Sequence, residues 1–340
     1  MDTGQINPIR NVRFLRPQRE WGWEIAIYLY LAGMGAGSFA IGVITNWFGY
    51  SLTPSKTILL LGFPLDISKA VLLWGPILVT IGAPFLILDL GIKRRFLYAC
   101  LNPRTSWVAR GFLILSIFII IGLGILAISI LPFQWLNKRT TFWLVLEIVG
   151  FLFALTTAIY TGILLKSVKY ISFWNTPLLP FLFLISSLST GSMGIILSIL
   201  GYGLLLPSGE LSYKLIGMLT GTEQILILIE AFALGLYLFY RYRTREQGES
   251  SVRVLISGDL RFIFWVGIIF SGFIFPIILE YLYSQFPGYP VLLFATGIFL
   301  LVGGFFLRFG ILIAGIKDQL PMHRFIEIQY NLRASKKNIV

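Results

Sequence analysis

Eight stretches of this sequence are predominantly apolar for 20 residues or more, at about 23–47, 67–91, 108–132, 141–165, 177–205, 221–241, 261–283 and 289–316. Runs of that length constrain a chain more than any other feature here. A helix rises about 1.5 Å per residue, so each run crosses roughly 30 Å of hydrocarbon. Only helices and closed barrels satisfy their backbone groups inside a bilayer. The runs are continuous rather than alternating, which selects helices. Charged residues make up 12% of the chain against about 25% in a soluble domain, so most of the surface must face lipid. The sequence therefore predicts an all-α integral membrane protein of eight transmembrane helices with no separate soluble domain. The apolar segment KTILLLGFPL at 56–65 is too short to cross and reads as an interfacial turn. The longest connections are 242–260 and the 317–340 tail. Residues 1–20 are polar and lack the compact apolar core and cleavage site of a secretory signal, so the first helix is expected to act as the insertion signal.

An even number of spans puts both termini on one side. Sorting the basic residues by loop places 22 of the 27 Lys and Arg with the termini and 5 on the other side. The five are Lys56, Lys69, Lys138, Arg139 and Lys214. By the positive-inside rule both termini are cytoplasmic, in a multi-pass protein of the inner cell membrane. The net charge of +12 is then mostly a matter of topology. Its spread over short loops argues against nucleic-acid binding and for contact with lipid head groups.

A faint internal repeat divides the chain. YLYLAGMGAGS at 28–38 resembles FLFLISSLSTGS at 181–192, and each half reaches a basic cluster, KRR at 93–95 and RYRTR at 241–245. The predicted arrangement is two four-helix bundles. Residues 23–170 form the N-terminal bundle and 171–316 the C-terminal one, flanked by cytoplasmic segments 1–22 and 317–340.

Ionisable side chains inside a span cost about 2.5–3.5 kcal/mol each on insertion scales, so they are candidates for function. Here they are Glu24, Asp89, Glu147, Glu223, Glu230, Glu280 and Arg308. Glu24 and Asp89 fall near the basic face. Glu147, Glu223 and Glu280 fall near the opposite face, where an interfacial, snorkelling carboxylate is the simpler reading for Glu223 and Glu280. Glu230 and Arg308 lie deeper and are expected to pair. Glu147, Glu230 and Arg308, with Glu24 and Asp89, are candidates for proton transfer.

Near the basic face, Tyr28 and Tyr160 lie at similar depth, roughly 8 and 9 Å in at helical rise. Glu24 and Tyr28 are four residues apart and share a helix face. Tyrosines at this depth also serve as interfacial anchors. Gly33 and Gly37 form a GxxxG pair, which suits close helix packing. The 89–111 connection carries Arg94, Arg95, Arg104 and Arg110, a candidate surface for docking a partner as well as a topology signal. With a single cysteine, Cys100, and a single histidine, His323, beyond the last span, the chain is expected to hold no metal, haem or iron–sulfur cluster.

The stretches WGWEIAIYLYLAGMGAG (21–37), DLGIKRRF with CLNPRTSWVARG (89–111), YTGILLKS (160–167), WNTPLLPFLFLISSLSTG (174–191) and GGFFLRFGILIAG (303–315) occur in one order along the chain. In this the sequence resembles the NrfD/PsrC-type membrane subunits of polysulfide-reductase-like respiratory complexes. The resemblance implies a quinone site in the N-terminal half, with menaquinone or a similar quinone as substrate, beside an iron–sulfur partner subunit and a catalytic subunit of molybdopterin type. It carries the family's tyrosine onto Tyr160. It sets Tyr28 at the place of the family's helix-1 histidine, where that is present, which moves proton exchange to Glu24 or Asp89. Quinone turnover needs a pocket, a donor to the quinone oxygens, a wet carboxylate and an electron partner; the last must come from another chain. The residues by themselves also admit a secondary transporter or ion-translocating subunit, on the repeat and the buried charges, and a plain anchor.

Overall fold

The computed structural model describes residues 18, 20–48, 57–60, 63–88, 103, 104, 106–130, 141–205, 210–244 and 246–317. Its long helices are α1 (Trp23–Trp47), α2 (Ile67–Leu88), α3 (Trp107–Ile130), α4 (Thr141–Lys166), α5 (Leu178–Leu205) and α6 (Glu210–Thr244). A short helix, α7 (Glu246–Ile256), precedes α8, which is π-helical over Ile263–Ile274 and α-helical over Phe275–Gln285. The last helix is α9 (Pro290–Ile313). Seven helices among the described residues are long and apolar enough to cross a membrane. The eighth expected span coincides with α2, whose described apolar stretch is Trp74–Leu86.

Three segments differ from expectation. The apolar run places the sixth span at 221–241, but α6 begins at Glu210 and runs for 35 residues. At helical rise that is about 52 Å, longer than a bilayer's hydrocarbon core. The expected loop at 242–260 contains α7, whose EQGESSVRVLI sequence buries Ser251, Val252 and Leu255 and exposes Arg253. The expected interfacial turn at 56–65 contains a two-stranded antiparallel hairpin, Thr57–Leu60 with Phe63–Asp66, pairing Thr57 with Asp66 and Leu60 with Phe63.

Helix α1 lies at the centre and packs against α2, α4, α5 and α9. Its small residues make this possible. A Cβ on Gly37 would overlap the Ser187 carbonyl of α5, so the two backbones touch there. Ser38 adds a hydroxyl bond to the Gly191 carbonyl at 3.2 Å. Small residues do similar work between α8 and α9, where Gly272 meets Gly303. Without water between helices, such contacts rest on close backbone approach rather than on the hydrophobic effect. Outward faces carry exposed Ile120, Leu152, Phe232, Phe262 and Val291, as a lipid-facing surface would.

At one end of the bundle the N-terminal segment crosses the end of α9. The Gln18 amide N–H donates to the Gly315 carbonyl at 2.8 Å, and Gln18 Nε2 donates to the Leu312 carbonyl at 3.1 Å. Trp21 stacks on Trp174 with centroids 5.4 Å apart, and Trp174 Nε1 donates to the Ile311 carbonyl at 2.9 Å. These bonds satisfy carbonyls that the end of a helix leaves without intrahelical donors. Lys317 pairs with Glu20 beside them.

Candidate functional site

The start of α1, the start of α3 and the last turns of α4 bring two phenols together. Tyr28 and Tyr160 are 0% and 1% exposed. Tyr160 donates its hydroxyl to the Trp107 carbonyl at 3.0 Å. Gly111, one turn further along α3, is where the phenol lies: a Cβ there would overlap the Tyr160 ring and hydroxyl. The Tyr28 hydroxyl is buried and has no hydrogen-bond partner among the described residues. The two phenols are close enough to interact electrostatically. Glu24 is half-buried in the first turn of α1, its carboxyl folded back beside Gly22. The geometry thus provides one unengaged buried hydroxyl, a second phenol fixed by a main-chain acceptor, and a carboxyl at the edge. That set suits donation to a ligand carbonyl oxygen.

Asp89, Arg94 and Arg95 lie outside the described residues. Arg104 is exposed. Arg110 turns inward on its own loop: Nε donates to the Pro103 carbonyl at 2.9 Å, Nη2 to the Arg104 carbonyl at 2.8 Å, and the guanidinium sits 4.4 Å over the Trp107 ring. Arg110 therefore shapes the turn whose Trp107 carbonyl receives Tyr160.

Glu147, a proton-transfer candidate on sequence grounds, has a different setting. Its carboxylate is 3% exposed and fully engaged by Asn46 Nδ2 at 2.8 Å, Trp47 Nε1 at 3.0 Å and Trp143 Nε1 at 2.8 Å. None of these donors accepts a proton at ordinary pH. The bonds tie the end of α1 to the start of α4, and the structure does not bring Glu147 to Glu230 or Arg308.

Glu230 and Arg308 are brought together, through serines. Arg308, sorted by its place in the sequence with the basic face, is 0% exposed in the core. Its Nη1 donates to Ser186 Oγ at 2.9 Å and to the Gly304 carbonyl at 3.2 Å, and its Nη2 donates to Ser187 Oγ at 2.9 Å. Glu230 faces the guanidinium and lies within hydrogen-bonding reach of Ser186 and Ser189. Gly33 allows the cation to approach α1: a Cβ there would stand 2.6 Å from Arg308 Nη2. The Tyr30 ring lies 5.7 Å from the guanidinium carbon. A cavity of ≈ 10 Å³, open to about one water-molecule centre, touches Glu230, Thr190, Gly272, Gly303 and Gly304. The π-helical part of α8 forms one wall of it. Such segments recur at functional positions in other helices.

Glu223 and Glu280, expected as interfacial carboxylates, are both 0% exposed. The Ser189 hydroxyl donates to Glu223 Oε1 at 3.2 Å. Sequence reasoning missed the serines. Ser186, Ser187, Ser189 and Thr190 are all buried on α5. The signal was present as SSLST inside an otherwise apolar helix, where hydroxyls hydrogen-bond across helix interfaces. Among the described residues no group of three His, Cys, Asp or Glu side chains is arranged to hold a metal ion.

Lipid-facing helices around a charged and hydroxylated interior define the class: a multi-pass membrane protein. The family is fixed by similarity along nearly the whole chain. The family model described as "Polysulphide reductase, NrfD" matches residues 11–318, and the chain belongs to this family. Among its relatives, one component chain of the polysulfide reductase of Wolinella succinogenes is 31% identical over 313 residues, covering 87% of this chain and 94% of that one. Protein NrfD of Escherichia coli is 28% identical over 317 residues, with the same coverage of 87% and 94%. One subunit of the selenate reductase of Mesobacillus selenatarsenatis is 26% identical over 297 residues, covering 76% of this chain and 66% of that subunit.

Proposed function

We propose that the chain is the quinone-reactive membrane subunit of a multisubunit respiratory oxidoreductase. The observation that carries this reading is the pair of buried phenols, Tyr28 with an unengaged hydroxyl and Tyr160 held on the Trp107 carbonyl. Menaquinone or a similar quinone is the substrate. Tyr28 donates its unengaged hydroxyl to one quinone oxygen, Tyr160 turns its hydroxyl from the Trp107 carbonyl to the other when the quinone binds, and Glu24, with Asp89, exchanges protons with water. The quinone accepts or gives two electrons and two protons; this chain supplies the pocket and the proton groups. Electrons pass to or from an iron–sulfur subunit docked over the basic face, which connects to a catalytic subunit of molybdopterin type. The names of the relatives, components of polysulfide and selenate reductases, support such an assembly.

The reading includes eight spans as two four-helix bundles, 23–170 and 171–316, with 1–22 and 317–340 in the cytoplasm. The pairings of α1 with α2 and α4, α3 with α4, α5 with α6, and α8 with α9 fall within those halves, and α1 also packs against α5 and α9 across the division. The 22-to-5 partition of basic residues supports the orientation. The serine-linked Glu230 and Arg308 favour proton movement alongside the quinone chemistry. A transporter without quinone chemistry would leave the phenol pair without a role.

Tyr160→Phe keeps the ring and removes the donor. Quinol-linked turnover of the purified complex is expected to fall about 100-fold or more, as loss of a positioned proton group does, while assembly survives. Unchanged turnover would remove Tyr160 from the site. Copurification of an iron–sulfur subunit is expected; a lone homo-oligomer would favour the transporter. A reporter fused to the C-terminus should appear in the cytoplasm.

A further inference from the structure

Glu223 on α6 and Glu280 on α8 face each other within hydrogen-bonding reach. Both oxygens of Glu280 and Oε2 of Glu223 are fully buried and lack a well-formed hydrogen bond, with the Gln224 side chain in reach of Glu280. Neither carboxyl forms an ion pair with Lys or Arg among the described residues. The groups around the pair are Ser189 on α5, Gln224 beside Glu280, and Glu230 as the nearest other titratable side chain. Two ionised carboxylates in such a place would repel each other and both lose their hydration. One proton removes the conflict. It turns one carboxyl into a donor and the contact into an O–H···O bond, which is short and strong when the acceptor is charged.

We propose that Glu223 and Glu280 share one proton and form the terminal proton-exchange site of a polar file through the C-terminal half. The file runs from Glu280 to Glu223, Ser189, Glu230, Ser186 and Arg308. Glu223 and Glu230 are seven residues apart on α6, so they share a face, and Ser189 reaches both. Counted along α6 from Thr244, Glu223 lies roughly 31 Å away at helical rise. The unit exchanged is a proton rather than a metal ion. Among the described residues no group of three His, Cys, Asp or Glu side chains is arranged to hold a metal ion there. Taking up a second proton makes the pair neutral; releasing one passes it toward Glu230 or to the membrane surface. The role in transport rests on the function proposed above, whereas the shared proton does not.

Infrared spectroscopy of the full-length chain with its copurifying subunits, in lipid nanodiscs at neutral pH, tests the pair directly. The wild type minus Glu280→Gln difference should show the carbonyl stretch of one protonated carboxyl per chain, and Glu223→Gln should remove the same band. Glu147→Gln should leave it in place, because that carboxylate is already satisfied by neutral donors. Absence of the band from both differences, or its loss when sodium replaces choline in the buffer, overturns the proposal. In proteoliposomes, Glu280→Gln should keep quinol-linked electron transfer and at least halve the protons moved per electron. An unchanged ratio overturns the transport role. If Tyr160→Phe leaves turnover intact while the band is present, the quinone reading fails and the shared proton stands.

Discussion

Glu147 and Glu280 are equally hidden, at 3% and 0% exposed, yet their surroundings differ in kind. Three N–H groups converge on Glu147, from an amide and two indoles. Glu280 meets a second carboxyl, with the Gln224 amide in reach but no well-formed hydrogen bond to either oxygen. A carboxylate saturated by groups that hold their protons is a structural tie. A carboxyl whose main company is another acid is suited to binding and releasing a proton. Burial alone, which made both residues candidates at the level of sequence, does not separate these roles; the chemistry of the neighbours does.

The contrast predicts graded costs of substitution. The largest belongs to Arg308→Met, which leaves Glu230 facing no cation; about 3–5 kcal/mol of stability should be lost, read from thermal unfolding in detergent. Glu147→Ala strands the three donors and should cost about 2–3 kcal/mol by the same measurement. Ser186→Ala removes one neutral acceptor from Arg308 and should cost about 1 kcal/mol. Glu280→Gln strands nothing and should fall below about 1 kcal/mol. If Glu280→Gln proves as damaging as Glu147→Ala, Glu280 is also a tie and the distinction collapses.

Much of the frame was readable from sequence because hydrocarbon thickness imposes it. The bounds of α1, from Trp23 to Trp47, follow from the length of its apolar run, and the depth of Glu230 and Arg308 points to a meeting that runs through Ser186 rather than a direct ion pair. What escaped detection depends on partners far away in the chain. Asn46 and Trp47 reach Glu147 across 101 and 100 residues, and the Ser186 and Ser187 hydroxyls reach Arg308 across 122 and 121. No periodicity encodes such meetings. The π-helical turn in IFWVGIIFSGFI was hidden for another reason: its composition does not differ from that of an ordinary apolar helix. At the phenol pair, Tyr28, Tyr160 and Glu24 were legible as residues. The Trp107 carbonyl and the bare Cα of Gly111 were not, because a main-chain acceptor carries no signature of its own.

The crossing of Gln18 over the end of α9 has a consequence for biogenesis. Its acceptors, the carbonyls of Leu312 and Gly315, are made almost 300 residues after it. The head of the chain cannot reach its resting place until the tail of the last helix has left the ribosome and entered the bilayer. Trp21 waits on Trp174 in the same way. The segment ahead of the first helix is thus among the last to be locked, and a chain truncated before residue 312 would leave that segment undocked.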